Sequence, residues 1–281
     1  MELGPKGDRP GLLIIRHLRD VNDLSDSRDS SIESYQDDDA LRVASELCAD
    51  FENSDANSIF ITASSKKRAL ESANLVKAKI EVIKPDVDVF IDTDDNLVDL
   101  DHGDYILPDN YKPGDYFQPF ERAWEIFIDE TFNKNNFDYK FGDSIENSDG
   151  SCLYPELKTV FTRHGESHKD ICVRLYSVIM AFYANRENFE DARVRPYLLT
   201  HSLPFAIFRA LIEVSDNVRS EGFRFNQGEL MGLCWEIYSS GSLGRSYYGQ
   251  ISDGLADLIK NDAFIEMLRN ELAYLKGESN G

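Results

Sequence analysis

Gly11-Leu12-Leu13-Ile14-Ile15-Arg16-His17-Leu18-Arg19-Asp20 is the stretch whose reading decides the fold. Four consecutive apolar residues behind a Pro-Gly break read as a short strand buried on both faces, as in parallel sheets. The run stops abruptly at Arg16-His17. A cation and an imidazole at the carboxyl end of a buried strand stand where open α/β sheets place ligand sites. A strand that ends in polar residues at the surface would read the same way, so the rest of the chain must decide.

Downstream, Asp20 to Asp39 is polar and acidic, without apolar periodicity, and reads as a mobile loop or flap. Leu41, Val43, Ala44, Leu47, Cys48 and Phe51 then recur at helical spacing behind Asp37-Asp38-Asp39, acidic residues that suit a helix N-terminus. Ser58 to Ser64 is a second strand. Ser64-Ser65 are expected to cap a helix over Lys66 to Ile80 with Ala69, Ala73, Leu75 and Val76 inward, and Val87 to Ile91 is a third strand. Strands alternating with helices predict an α/β fold, a three-layer α/β/α sandwich around a mostly parallel sheet.

Residues 105–159 break the rhythm with prolines and aromatics, and are expected to form an inserted cap over the carboxyl edge of the sheet. One helical segment lies there, near Phe120 to Phe132, with Ala123, Trp124, Phe127 and Ile128 inward. Residues 1–104 and 160–281 would then make the α/β domain. Its second part holds a helix from Asp170 to Glu187 and a strand from Pro196 to His201. A helix follows over Phe205 to Val214, then a strand over Glu229 to Tyr238, a loop over Ser239 to Gly254 and a helix over Leu255 to Lys276.

The 281 residues suffice for a sizeable core, and the net charge of -21 makes nucleic acid and anionic membranes poor general partners. Four scattered cysteines show no CxxC spacing, which suggests neither a metal site nor a disulfide framework and fits reduced thiols in a cytoplasmic protein. Met1 to Pro10 lacks the apolar core of a signal peptide, and the run Leu175 to Tyr183 is too short to span a bilayer.

Three further stretches place polar residues where elements begin or end. In Ser64-Ser65-Lys66-Lys67-Arg68-Ala69, Arg68 falls in the first turn of a helix, against the dipole, a poor choice unless an anion sits nearby. A solubilising basic run would look alike. Asn96-Leu97-Val98-Asp99-Leu100-Asp101-His102-Gly103-Asp104 is a loop rich in carboxylates. His201 closes the strand Leu198-Leu199-Thr200-His201.

In that order, Arg16-His17, Arg68, the acidic loop and His201 resemble the histidine phosphatase superfamily, also called the phosphoglycerate mutase-like family. Arg16-His17 is similar to its "RHG" strand and Ser64 to Ala73 to its arginine helix. Leu97-x-Asp99 with Gly103 is similar to its acid loop, and Leu198 to Ser202 to its second-histidine strand. Thr162-Arg163-His164-Gly165-Glu166-Ser167 spells a rival "RHG". Too little chain lies between it and His201 to hold the other motifs, so Arg163-His164 reads as structural or, at most, as lining the pocket rim. Gly165 to Arg174 looks like the family's later "G-E-S-x-x-D-x-x-x-R" segment, with Ser167 and Asp170 forming a capping box.

The resemblance implies a phosphatase that hydrolyses a phosphomonoester through phosphohistidine without metal or other cofactor. His17 would be the nucleophile, kept neutral by neighbouring cations. Arg16, Arg68 and His201 would bring positive charge to the phosphate oxygens, and Asn22 or Asp23 would add a polar contact. Asp99 would protonate the leaving group and later activate water. It must first hold a proton, which Asp101 and Asp104 could favour by like charge, unless the enzyme works at acid pH. The departures are Leu18 after the histidine, Asp23 where the family often has Asn, and an aspartate as the acid. Leu18 and the acidic surface motivate an alternative, a catalytically silent binding or regulatory protein. A mutase-type phosphoryl transferase is a further alternative, lacking the fuller phosphoglycerate-holding set. The cap aromatics Tyr105, Tyr111, Tyr116, Phe117, Phe120 and Trp124 suggest a closed pocket for a small organic phosphate; they could equally be the cap's own core.

Overall fold

The computed structural model describes residues 13–16, 37–109, 117–134, 136–184, 186–201, 203–204 and 234–235. Strand β1 is Leu13–Arg16, and helix α1, Asp37–Glu52, carries its three aspartates in the first turn. Strand β2 is Ser58–Ser64, helix α2 Lys67–Ile83, and strand β3 Asp88–Asp94. Much later come β6, Val194–Thr200, and β7, Cys234–Trp235. These five strands form one sheet in the order β3-β2-β6-β1-β7, and every pairing is parallel.

The expected α/β-type fold is present, and the reason is visible in the side chains. Ile14 and Ile15 are both buried, so β1 is covered on its two faces as its unbroken apolar run implies. One face of the sheet (Ile15, Ile59, Ile61, Ala63, Tyr197 and Leu199) packs with Val43, Ala44 and Leu47 of α1 and Ala69, Ala73, Val76 and Ile80 of α2. The small alanines let the α2 backbone approach the strands closely. Arg195 and Tyr197 of β6 reach α1, where Arg195 forks onto the Asp50 carboxylate at 2.6 and 3.0 Å and the Tyr197 hydroxyl donates to Leu47 O at 3.1 Å.

Between β3 and β6 the chain makes a long excursion. It leaves through a short 3₁₀ turn, Asp95–Leu97, and β4, Asp104–Tyr105. It passes α3, Gln118–Ile128, a π-helical turn, Asp129–Asn133, and α4, Pro155–Lys158. It returns through β5, Phe161–Arg163, which pairs antiparallel with β4. Then follow α5, His168–Ala184, and α6, Arg186–Asp191.

Several boundaries differ from expectation. The helix expected through Phe132 ends as an α-helix at Ile128, and the Lys134 N–H then reaches Asp129 O, five residues back, at 3.1 Å. Its buried side chains are Phe120, Ala123, Ile126 and Phe127, whereas Trp124 and Ile128 are only partly covered. The helix expected to Glu187 ends at Ala184 and is followed by α6. The capping box at Ser167 is present: Ser167 N–H donates to Asp170 Oδ2 at 2.9 Å, and Asp170 N–H donates back to Ser167 Oγ at 3.1 Å. The segments expected over 205–214, 239–254 and 255–276 lie outside the described residues, as does most of 229–238 and most of the acidic loop before Asp37. Among the described residues no helix is long and apolar enough to cross a membrane. Cys48 and Cys172 are buried free thiols, and Cys152 is a partly buried one.

Candidate active site

The carboxyl edge of the sheet gathers the polar residues. Arg16, the last residue of β1, is in register with Thr200 of β6, so β1 delivers its end beside His201. The Arg16 side chain and the whole of His17, Asn22 and Asp23 lie outside what is described. On the other flank of β6, β2 ends at Ser64, in register one residue behind with Leu199 opposite Ala63. Helix α2 starts three residues later and brings Arg68 back to the same edge.

Arg68, Asp99 and His201 meet. Arg68 Nε–H donates to His201 Nδ1 at 3.0 Å, and Arg68 Nη2 donates to Asp99 Oδ2 at 3.3 Å. Arg68 is 5 % exposed and His201 is fully buried. A guanidinium so buried requires hydrogen-bonded partners, and these two supply them. Lys67, one residue earlier, is exposed. Within the run Lys66-Lys67-Arg68, then, the arginine is the buried member, and Lys66 is half-buried.

Ser64 is a site residue that the sequence reading took for a helix cap. The N-cap of α2 is Lys66, with no side-chain cap bond; Ser64 Oγ accepts the Lys66 N–H at 3.3 Å and lies 2.8 Å from His201 Nε2. Because a guanidinium N–H points at Nδ1, that nitrogen must present its lone pair. The hydrogen-bond network therefore assigns the ring proton to Nε2, donating to the Ser64 hydroxyl. In this arrangement the ring carries a single proton, on Nε2, and Arg68 brings the positive charge of the pair. Two cations could not make this bond. Nothing in the local sequence signals the Ser64 role, since its partner lies far along the chain.

The acidic loop is held from several sides. Thr200 Oγ1 donates to Leu97 O at 2.7 Å, tying the loop to the end of β6. Asp94 caps the 3₁₀ turn through Asn96 N–H at 2.8 Å, and Asp99 Oδ1 accepts the Leu100 N–H at 3.1 Å. Arg163, from the rival "RHG", forks onto Asp101 at 2.6 and 3.1 Å and reaches Asp104 at 3.0 Å. Those bonds, with the Gly103 N–H at 2.9 Å, hold the half-buried Asp101 carboxyl below its usual range against the opposing effect of burial. Asp101 and Asp104 thus share the single positive charge of Arg163, which offsets part of their like charge in the loop that carries Asp99. Arg163 and His164 are both substantially exposed, with His164 Nδ1 3.7 Å from Asp143 Oδ1.

The cap aromatics pack on one another. His102 meets the rings of Phe120, Trp124 and Phe141 edge-on at 5.1, 5.3 and 4.9 Å, and Tyr105 lies against Phe117, Phe120 and Phe161 at 6.0, 5.4 and 5.8 Å. Of the two readings of these residues, the described ones fit a small core; Tyr111 and Tyr116 lie outside the described residues. Among the described residues no group of three or more His, Cys, Asp or Glu side chains is placed to hold a metal ion. Compared with protein-family models and with curated proteins, the chain matches none.

Proposed function

We propose that this protein is a metal-independent phosphomonoesterase working through a phosphohistidine, with a small organic phosphate as substrate. The observation that carries the reading is the hydrogen-bonded set of buried Arg68 and His201 with partly buried Asp99. They come from a helix start, a loop and a strand end, and meet beside the end of β1, whose last residue is Arg16 and which His17 follows in sequence. His17 would attack phosphorus in line, and Arg16 and Arg68 would hold the peripheral oxygens. Neutral His201 would contribute a fixed N–H donor or acceptor rather than a charge. In the resting site Asp99 occupies one hydrogen-bonding edge of Arg68; an incoming phosphate dianion competes for that edge. A dianion beside Asp99 favours a proton on its carboxyl oxygen, which is then placed to go to the leaving group.

The reading carries finer expectations with it: a three-layer α/β/α sandwich, residues 105–159 as an inserted cap within one domain, and a cytoplasmic location. The pairing of β4 with β5 supports the cap, because it sets the two ends of the excursion side by side. The engagement of Arg68 by both Asp99 and His201 also suits the second reading, a silent binding protein whose site is closed by its own carboxylate. Hydrolysis of p-nitrophenyl phosphate in EDTA separates the two. Phosphate release well above that of a His17→Ala control is expected, and equal rates would remove the enzyme reading.

A further inference from the structure

The geometry points to Arg174 and Glu166 as positioning residues for Asp99: a clamp on helix α5 and the loop before it that fixes the height of the acid loop at the site edge. This role rests on the phosphatase reading above. Arg174 Nε donates to Glu166 Oε1 at 3.0 Å and Nη2 to Oε2 at 2.8 Å, a two-pronged pair with side chains 13 % and 22 % exposed. The remaining donors of the same guanidinium go to the acid loop. Nη1 donates to Asn96 O at 2.7 Å and Val98 O at 2.9 Å, and Nη2 reaches Asp99 O at 3.4 Å. Glu166 completes the grip from the far end. Its Oε2 accepts the Asp101 N–H at 3.0 Å, and its own N–H donates to Asp101 O at 2.8 Å. The residues on either side of Asp99 are therefore bonded to one ion pair.

The backbones interlock at the same place. A Cβ on Gly165 would lie 2.0 Å from Asp101 O, and one on Gly103 would lie 2.1 Å from Arg163 O. Only glycines allow the loop and the Arg163–Glu166 segment to touch in this way. Arg174 does not reach the Asp99 carboxyl; it sets where the backbone of Asp99 lies. A lysine at 174 keeps the charge and stem but not the planar fork that holds Glu166 and two carbonyls together. Displacing a general acid by about an ångström costs on the order of 10²-fold in rate.

The test compares wild type with Arg174→Lys and with the milder Glu166→Gln, each first matched to wild type for folding by circular dichroism. Hydrogen–deuterium exchange of residues 96–103 reads the clamp without reference to activity. Turnover of p-nitrophenyl phosphate against a simple alkyl phosphate reads the positioning. Both variants should exchange faster in 96–103 while the β2–β3 amides stay as in wild type. Both should lose roughly 10²-fold in kcat/KM on the alkyl ester, whose alkoxide needs the acid, and far less in kcat/KM on the aryl ester. Unchanged exchange in 96–103 overturns the clamp whatever the activities. Faster exchange with equal losses on both esters overturns the positioning role and leaves a structural brace. Inactivity of the wild type on both esters overturns the phosphatase reading, and the positioning role with it, while the exchange result still reports on the clamp.

Discussion

Replacing Gly165 by alanine tests the interlock directly. Gly165 N–H donates to Phe141 O at 2.8 Å, and Glu166 N–H donates to Asp101 O at 2.8 Å. The added Cβ would meet Asp101 O at 2.0 Å, Asp101 C at 2.9 Å and His102 C at 2.8 Å, all backbone atoms with no rotamer to relieve them. Ordinary contact begins near 3.4 Å, so the two segments must part by about 1.4 Å, the difference between 3.4 and 2.0 Å. Such a shift breaks the Glu166–Asp101 backbone bond and strains the Gly165–Phe141 and Asp101–Glu166 bonds. At about 0.5–1.5 kcal/mol each, the loss over the three comes to roughly 1.5–4.5 kcal/mol. Gly150→Ala is the comparison: there the backbone has φ +79° but the Cβ would meet nothing within 4 Å, so only the left-handed conformation opposes it, at about 1–2 kcal/mol. Urea unfolding followed by circular dichroism measures both. A Gly165→Ala protein within about 0.5 kcal/mol of wild type, with an unchanged m-value, would refute the reasoning.

Other outcomes follow from the site and its surroundings. Asp99→Asn should lose roughly 10²–10⁴-fold in kcat/KM on alkyl phosphates while largely sparing kcat/KM on p-nitrophenyl phosphate, and during p-nitrophenyl phosphate turnover phosphohistidine should accumulate on His17 because its hydrolysis is slowed; equal kcat/KM losses on both esters, with the alkyl-specific loss appearing instead in Asp101→Asn or Asp104→Asn, would put the acid elsewhere in the loop. In wild type, long-range ¹⁵N–¹H correlation should show His201 as the Nε2–H tautomer. Ser64→Ala, which removes the acceptor of that proton, should destabilise the protein by about 1–3 kcal/mol; a Nδ1–H tautomer in wild type would contradict the assignment. His168 is buried beside Phe127, with Nδ1 3.0 Å from the Thr131 hydroxyl, and burial pushes its imidazole down to about 3. The unfolded chain takes up that proton near pH 6.5, so the stability this residue gives is complete above about 6.5 and drains away as pH falls toward 3. Unfolding free energy measured from pH 7 to 4 should decline more steeply in wild type than in His168→Gln, and parallel curves would refute it.

The sequence carried the strands that frame the site because each is a short buried run with a clean end. β1 is apolar up to Arg16, β2 alternates Ile59, Ile61 and Ala63 inward, and β6 is buried along nearly its whole length. The capping box was legible because both partners lie within one helical turn. Arg68 was only half legible: adjacent basic residues look equivalent, and the choice between them is made by His201 and Asp99 on other elements. Ser64 was misassigned for the same reason, a hydroxyl near a helix start being the ordinary mark of a cap. The Arg163 fork was read as structural but without its partners, and Arg174 was noted only as part of a motif. The bonds that give both residues meaning cross some sixty to eighty positions of chain.

The bond from Arg68 to His201 spans 133 positions, and this separation sets an order of events during synthesis. At about 5–20 residues per second, the ribosome takes roughly 7 to 27 s to make the chain between them. The β2-α2-β3 unit is complete long before β6 exists, and it can assemble from local contacts. Throughout that interval the side of β2 that will receive β6 is an open strand edge flanked by Ile59 and Ile61. The nascent protein therefore carries an adhesive strand edge at the position where its candidate site will later close. Yield in cells should depend more on what shields that edge during translation than on the stability of the finished fold.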